Sequence, residues 1–200
     1  MRSNLFFIML NKIVLDLETQ KEFSEVGGRS KPRLLKVSVV GVYLYLEDKY
    51  SIFEERELQK LGELLAAADQ IIGFNIRQFD LRVLQPYMDF ALEKIPCLDL
   101  LEEVEKALGH RVGLDAVASA TLGAGKSGTG LNAIRLWKAG QIEELKKYCL
   151  KDVELTRNIY EYGRQHGKLL YRDFFETREL PVAFLEPLPR KNVVRQTSLF

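Results

Sequence analysis

Lys12-Ile13-Val14-Leu15-Asp16-Leu17-Glu18-Thr19 is the stretch from which the fold can be read. Lys12 to Leu17 reads as a buried strand, because Ile13, Val14, Leu15 and Leu17 are apolar and the β-branched residues come early. Asp16 and Glu18 stand two apart, so a strand sends both carboxylates out from one face while Leu15 and Leu17 leave from the other. Two readings fit this pair alone: an edge strand with a solvated polar face, or a strand that offers two acids to a common point. Downstream, Gln20 to Arg33 is a polar loop with Gly27, Gly28 and Pro32. Leu34 to Leu46 alternates and is rich in Val and Tyr; with Tyr50 to Phe53 it makes an antiparallel pair turning through Glu47-Asp48-Lys49. Helices are expected over Glu55 to Ala68, Gln78 to Leu92, Leu101 to Leu108, Leu114 to Leu122, around Asn132 to Lys138, and over Ile142 to Gln165. Short extended pieces at Gln70 to Phe74 and Cys97 to Leu100 interrupt them, and Lys168 to Phe175 is a last strand. Strands first, then strands alternating with helices, indicate an α/β fold: a mixed central sheet flanked by helices.

A chain of 200 residues, 46% hydrophobic and 28% charged, has the composition of one globular domain able to bury a core. The formal net charge of +1 argues against a histone-like binder and leaves room for a local basic groove. Cys97 and Cys149 form no CxxC pair, which fits two reduced core thiols in a cytoplasmic protein. The apolar run Leu5 to Leu10 is too short to span a membrane and has no small-residue cleavage site behind it. Residues 1–8 read as a dispensable extension. After Pro181 the character changes: Pro187 and Pro189 break up the segment, and Arg190 to Arg195 is polar and basic. The expected division is therefore a domain over 1–180 and a linker with a short terminal peptide over 181–200.

Beyond Asp16 and Glu18, two further segments carry acids inside apolar elements, where an unpaired charge is costly. Asp80 lies in GFNIRQFDLRVL near a helix start, where a carboxylate also simply favours the N-terminus. Asn75 in the same segment serves equally well as a turn or cap residue. Tyr148 and Asp152 in YCLKDVELTRNIY are four apart on a helix and share a face; taken alone, they read as a packing tyrosine beside a solvated acid. GAGKSGTG, Gly123 to Gly130, tempts a phosphate-loop reading, but the glycine needed five residues before Gly125 is Ala120. That reading is rejected, and a loop near a substrate groove with Lys126 free for a phosphate stays open.

Taken together, Asp-x-Glu, Asn-x-x-x-Phe-Asp and Tyr-x-x-x-Asp, in this order from about Lys12 to Tyr162, resemble the 3′–5′ exonucleases of the ribonuclease H-like superfamily in their DEDDy form. That group includes polymerase proofreading domains and ribonuclease D. The resemblance implies a two-metal hydrolysis of phosphodiester bonds, in which two divalent ions about 3.5–4 Å apart activate water and neutralise the leaving oxygen. It implies that Asp16, Glu18 and Asp152 hold one ion, that Asp16 bridges to a second served by Asp80, and that Tyr148 with Glu18 orients the water. Leu17, Thr19 and Asn75 would meet the terminal nucleotide. An oxygen-only ligand set selects Mg²⁺ or Mn²⁺ over Zn²⁺. DNA 3′ ends are the expected substrate, with RNA, as for ribonuclease D, or a non-catalytic scaffold as alternatives.

The terminal Gln196-Thr197-Ser198-Leu199-Phe200 resembles the peptide by which bacterial proteins bind the sliding clamp, although Thr197 replaces the usual leucine. The resemblance implies that Gln196, Leu199 and Phe200 dock on the clamp, since apolar residues on a polar tail suit a partner's pocket. A tail packed on its own domain is the competing reading.

Overall fold

The computed structural model describes residues 9–123, 130–173 and 176–190. A five-stranded sheet forms its centre, built from β1 (Lys12–Thr19), β2 (Val37–Leu44), β3 (Lys49–Glu54), β4 (Gln70–Gly73) and β5 (Cys97–Asp99) in the order β3-β2-β1-β4-β5. β1 runs antiparallel to β2 and parallel to β4, so the sheet is mixed, as the sequence predicts. β1 is the middle strand of the five. The edge-strand reading of Asp16 and Glu18 therefore fails.

Helices cover both faces. Ile13, Leu15 and Leu17 join Val40 and Val42 in a core shared with α1 (Leu58–Ala66) and α2 (Asp80–Leu84). Val14, Tyr43 and Ile72 point the other way, toward α3 (Leu100–Leu108), α4 (Leu114–Leu122) and α6 (Ile142–His166), with α5 (Gly130–Lys138) packed against α6. Strand period alone then puts Asp16 and Glu18 on the face that α6 covers. α6 earns its place there by a buried stripe through Leu145, Tyr148, Cys149, Asp152, Thr156, Ile159, Tyr160 and Gly163, which repeats at three and four residues. Each fully buried aliphatic on such a stripe contributes about 1.5–3 kcal/mol.

Three elements differ from the sequence expectation. The helix expected over Gln78 to Leu92 is only α2, followed by a 3₁₀ turn at Gln85–Tyr87. Pro86 has no N–H to give and crowds the carbonyl four residues back, so the α-helix stops. The helix expected from Glu55 begins with a 3₁₀ turn at Glu55–Glu57, where the Glu54 and Glu57 side chains cap each other's backbone. The late strand, β6 (Lys168–Arg172), pairs with an unforeseen β7 (Thr177–Pro181) in a separate hairpin.

The segment expected to be a free linker is docked as far as Arg190. Phe184 stacks on Tyr160 at 5.6 Å and lies against Gly163, where a Cβ would run into its ring. The Lys12 ammonium meets Glu186 at 2.7 Å, and the Arg190 N–H donates to Asp69 at 2.8 Å. Isolated apolars between prolines carry no period, which is why this strap escaped the sequence reading. Leu185 and Leu188 stay exposed on it. Residues 1–8, most of the Gly123–Gly130 segment including Lys126, and Gln196, Leu199 and Phe200 lie outside the described residues. Among the described residues no helix is long and apolar enough to cross a membrane.

Candidate metal centre

Asp16, Glu18 and Asp152 each place a carboxylate oxygen within 4.8 Å of the other two. Glu18 is 8% exposed and Asp152 only 2%, so the solvated-acid reading of Asp152 is overturned. Three carboxylates so close at low dielectric repel one another unless a proton or a cation intervenes. An oxygen-only set of this kind suits a hard divalent cation.

Two local features bring the acids together. The first is a bulge at the end of β1: Glu18 faces Val39 but Thr19 faces Val37, leaving Ser38 as the extra residue. A bulge raises local twist and re-aims the side chains beside it. The second is Gly41, directly across β2 from Asp16. A Cβ there would stand 2.9 Å from Val153 Cγ2 and 3.1 Å from Cys149 Sγ. The bare glycine lets α6 sit down on the sheet, and that close approach carries Asp152 to the β1 acids. Neither Ser38 nor Gly41 was singled out from the sequence; a lone glycine inside an alternating strand was the signal for the second.

Tyr148 lies one helical turn before Asp152 on the same buried stripe and is 8% exposed. Between the two positions Cys149 places its thiol 3.5 Å from the Asp16 carbonyl oxygen and 3.9 Å from Asp16 Oδ2. Burial, then the charges of Asp16 and Glu18, push that thiol well above its ordinary range. It is a neutral donor to the strand, not a nucleophile.

Asp80 stands outside the three-oxygen cluster but against the same strand. Its Oδ1 accepts the Leu17 N–H at 3.1 Å, between Asp16 and Glu18. Burial is the main cause that pushes its carboxyl up to about 8, with the Asp99 and Asp152 charges adding and the backbone N–H groups opposing. Leu17 itself turns its side chain into the α1–α2 core, so it offers the site a backbone N–H. Thr19 is buried and donates its hydroxyl to the Lys21 carbonyl.

Asn75 adopts a left-handed φ of 65° in the turn before α2, and its side-chain oxygen accepts from Arg111. Asp99 holds that turn, accepting from the N–H groups of Asn75 at 2.8 Å, Arg77 at 3.1 Å and Leu101 at 3.1 Å. Asp99 was assigned no role from the sequence, since an acid at a strand end before a helix reads as an ordinary cap. Through the Asn75–Arg77 turn it sets where α2 starts, and hence where Asp80 lies.

A sequence profile of the RNase_H superfamily matches residues 15–164, which includes Asp16, Glu18, Asp80, Tyr148 and Asp152. No curated protein matches the chain. Among solved structures, the family B DNA polymerase of the hyperthermophilic archaeon Pyrobaculum calidifontis superposes with a TM-score of 0.61 at 17% identity. The match covers 78% of this chain and 25% of the polymerase. At that identity the likeness is one of fold, and the chain corresponds to a quarter of the polymerase's length.

Proposed function

The chain belongs to the RNase H superfamily, and from that premise we propose that it is a metal-dependent 3′–5′ exonuclease of the DEDDy kind acting on DNA. One observation carries the reading: Asp16, Glu18 and Asp152 meet within 4.8 Å, on a face where Tyr148 lies one turn before Asp152. Three carboxylates gathered this closely under a helix repel one another at low dielectric, and a divalent cation among them relieves that repulsion.

In this reading Asp16, Glu18 and Asp152 would hold one Mg²⁺ or Mn²⁺, and Asp16 with Asp80 would serve a second. When bound, such a pair supplies hydroxide at neutral pH and neutralises the leaving oxygen. The chain's own work is placement. Tyr148 would orient the attacking water through its hydroxyl, with Glu18 helping to hold that water in place. Thr19 and Asn75 position the terminal nucleotide at the end of β1. The terminal Gln196, Leu199 and Phe200 are proposed to dock on a bacterial sliding clamp, which would place the enzyme in replication or repair.

The test is digestion of 3′- and 5′-labelled single- and double-stranded DNA and RNA with Mg²⁺, Mn²⁺ or EDTA. Mononucleotides released from the 3′ end of DNA, lost with EDTA and with Asp16→Ala, are expected. Release only from RNA would move the substrate class. No metal-dependent hydrolysis of either polymer, from folded protein, would leave a binding scaffold in place of an enzyme.

A further inference from the structure

Among the described residues the large apolar side chains that stand in water are Met9, Leu34, Leu46, Leu131, Leu185 and Leu188. Met9, Leu46, Leu185 and Leu188 gather at one end of the sheet, where β1 begins. Met9 leads into Asn11 there, and Leu46 follows Tyr45, whose N–H donates to the Lys12 carbonyl at 3.1 Å. The strap carries Leu185 and Leu188 to the same end: the Leu185 carbonyl accepts from the Gln70 side chain at 3.5 Å, and Gln70 pairs with Lys12. These two are the most exposed of the set, at 82% and 87%. Single exposed leucines need no explanation, but a gathering of them marks a contact surface.

The strap is stiff, and its charges are spent inward. Pro187 and Pro189 fix their own φ and hold Glu186 and Leu188 extended. In an extended chain with three residues per turn, Leu185 and Leu188 leave from one side. The prolines have no N–H, so a neighbour meets this stretch through side chains and not through a strand ladder. Glu186 is engaged with Lys12 at 2.7 Å, and the Arg190 guanidinium with the carbonyls of Ala66 at 3.2 Å and Ala68 at 3.0 Å. What the strap offers outward is therefore two leucines.

One carboxylate joins this surface to the start of the chain. Asp69 accepts the Arg190 N–H at 2.8 Å and the Asn11 N–H at 2.7 Å. Counted back from Arg190, Leu188 and Leu185 stand two and five residues away. Counted back from Asn11, Ile8 and Leu5 stand three and six residues away, with the same spacing of three between them. Extended chain covers about 3.3–3.6 Å per residue, so Leu5 to Ile8 reach as far from Asp69 as the two strap leucines do. That run, Leu5-Phe6-Phe7-Ile8, carries no charge and two aromatic rings.

We infer that Leu5 to Ile8, which lie outside the described residues, pack over Leu185 and Leu188 and hold the strap on the domain. Tether and chemistry choose this occupant together. An apolar segment joined within a few residues of an apolar surface is at an effective concentration there that a separate partner does not match. The competing occupant is a second copy of the chain seated on the same leucines. The contact gives residues 1–8 a structural role, where the sequence suggests a dispensable extension.

The test compares the full chain with a chain beginning at Met9, each with and without Leu185→Ser and Leu188→Ser together. Deleting residues 1–8 should lower Tm by about 4 °C or more and raise the fluorescence of a dye that binds apolar surface. The serine pair should do the same in the full chain. In the chain from Met9 the serine pair should move Tm by no more than about 1 °C, because what covers the leucines is already gone. Amide exchange at Leu185, Glu186 and Leu188 serves where melting is irreversible, and it should run at least about tenfold faster without residues 1–8. Unchanged Tm and exchange on deletion would overturn the inference, as would losses from the deletion and the serine pair that simply add. Sedimentation velocity covers the second copy: a dimer that needs the two leucines but survives the deletion would overturn it as well.

Discussion

Asp80 shows how a single residue couples the site to folding. Held at about 8 chiefly by burial, its carboxyl is protonated in the folded chain across a range where the unfolded chain has lost that proton. A raised carboxylate means the folded state binds more protons, so stability falls as pH rises from near 3.8 through about 8. Asp80→Asn, without added metal, should therefore raise Tm at pH 8, with the gain shrinking toward pH 4. For a chain of this size 1 kcal/mol is worth about 2–4 °C. A gain equal at both pH values would mean that the carboxyl is not raised in the folded chain. Added Mg²⁺ or Mn²⁺ should stabilise the wild type by mass action, and stabilise Asp16→Ala much less. Tyr148→Phe separates chemistry from packing: we expect kcat at least about tenfold lower, roughly 1.4 kcal/mol of barrier, with KM little changed. Full activity in that variant would leave Tyr148 as a packing residue. Asp16 and Glu18 stood out in the sequence as two acids on one face of an apolar strand, whereas Asp80, Tyr148 and Asp152 were singled out only through the resemblance, since alone they read as a helix-start acid and a packing tyrosine beside a solvated acid. Asp99 and Gly41 stood out in neither way, because one looks like a cap and the other like a gap until the third dimension shows what each touches.

Among the elements, α6 decides the geometry of the site, and its seat on β2 is Gly41. Gly41→Ala would set a methyl 2.9 Å from Val153 Cγ2 and 3.1 Å from Cys149 Sγ, so helix and sheet must part. Overpacking of this kind costs about 1–3 kcal/mol. Lifting α6 also moves Asp152 away from Asp16 and Glu18, so the rise in Tm on adding Mn²⁺ should shrink along with Tm itself. Adding Val153→Ala removes the nearest clash and should recover part of both. If the double variant recovers neither, α6 is not seated on that glycine. The length and register of α6 were plain from its sequence period, as was the antiparallel β2–β3 pair from its alternation. α2 was overestimated because its apolar residues continue past Leu84 at helical spacing, while Pro86 breaks the backbone ladder that such spacing presupposes. Propensity and pattern see side chains; the stop was set by a missing N–H.

On the scale of the whole molecule, the strap changes what the tail can do. Arg190 is pinned to Asp69 beside Asn11, whose own N–H donates to the same carboxylate at 2.7 Å. Asn11 precedes β1, and the acids sit at the other end of that strand. At about 3.3 Å per residue the six steps from Lys12 to Glu18 span roughly 20 Å. The strap's last described residue, Arg190, therefore lies on the side away from the carboxylates. This separates two truncations that a free linker from Pro181 would have made equivalent. Removing residues 196–200 should leave Tm and the hydrolysis of short oligonucleotides unchanged while abolishing capture by a bacterial sliding clamp. Removing residues 182–200 should also lower Tm by several degrees, because Tyr160 loses the Phe184 ring and Asp69 loses the Arg190 N–H. Isothermal titration against clamp and thermal melts on both truncations decide the matter. Equal clamp affinity with and without the last five residues would end the tethering idea, since any gain on long DNA must come from raised effective concentration at the clamp. Equal melting temperatures for the two truncations would show that the strap lies on the domain without holding it.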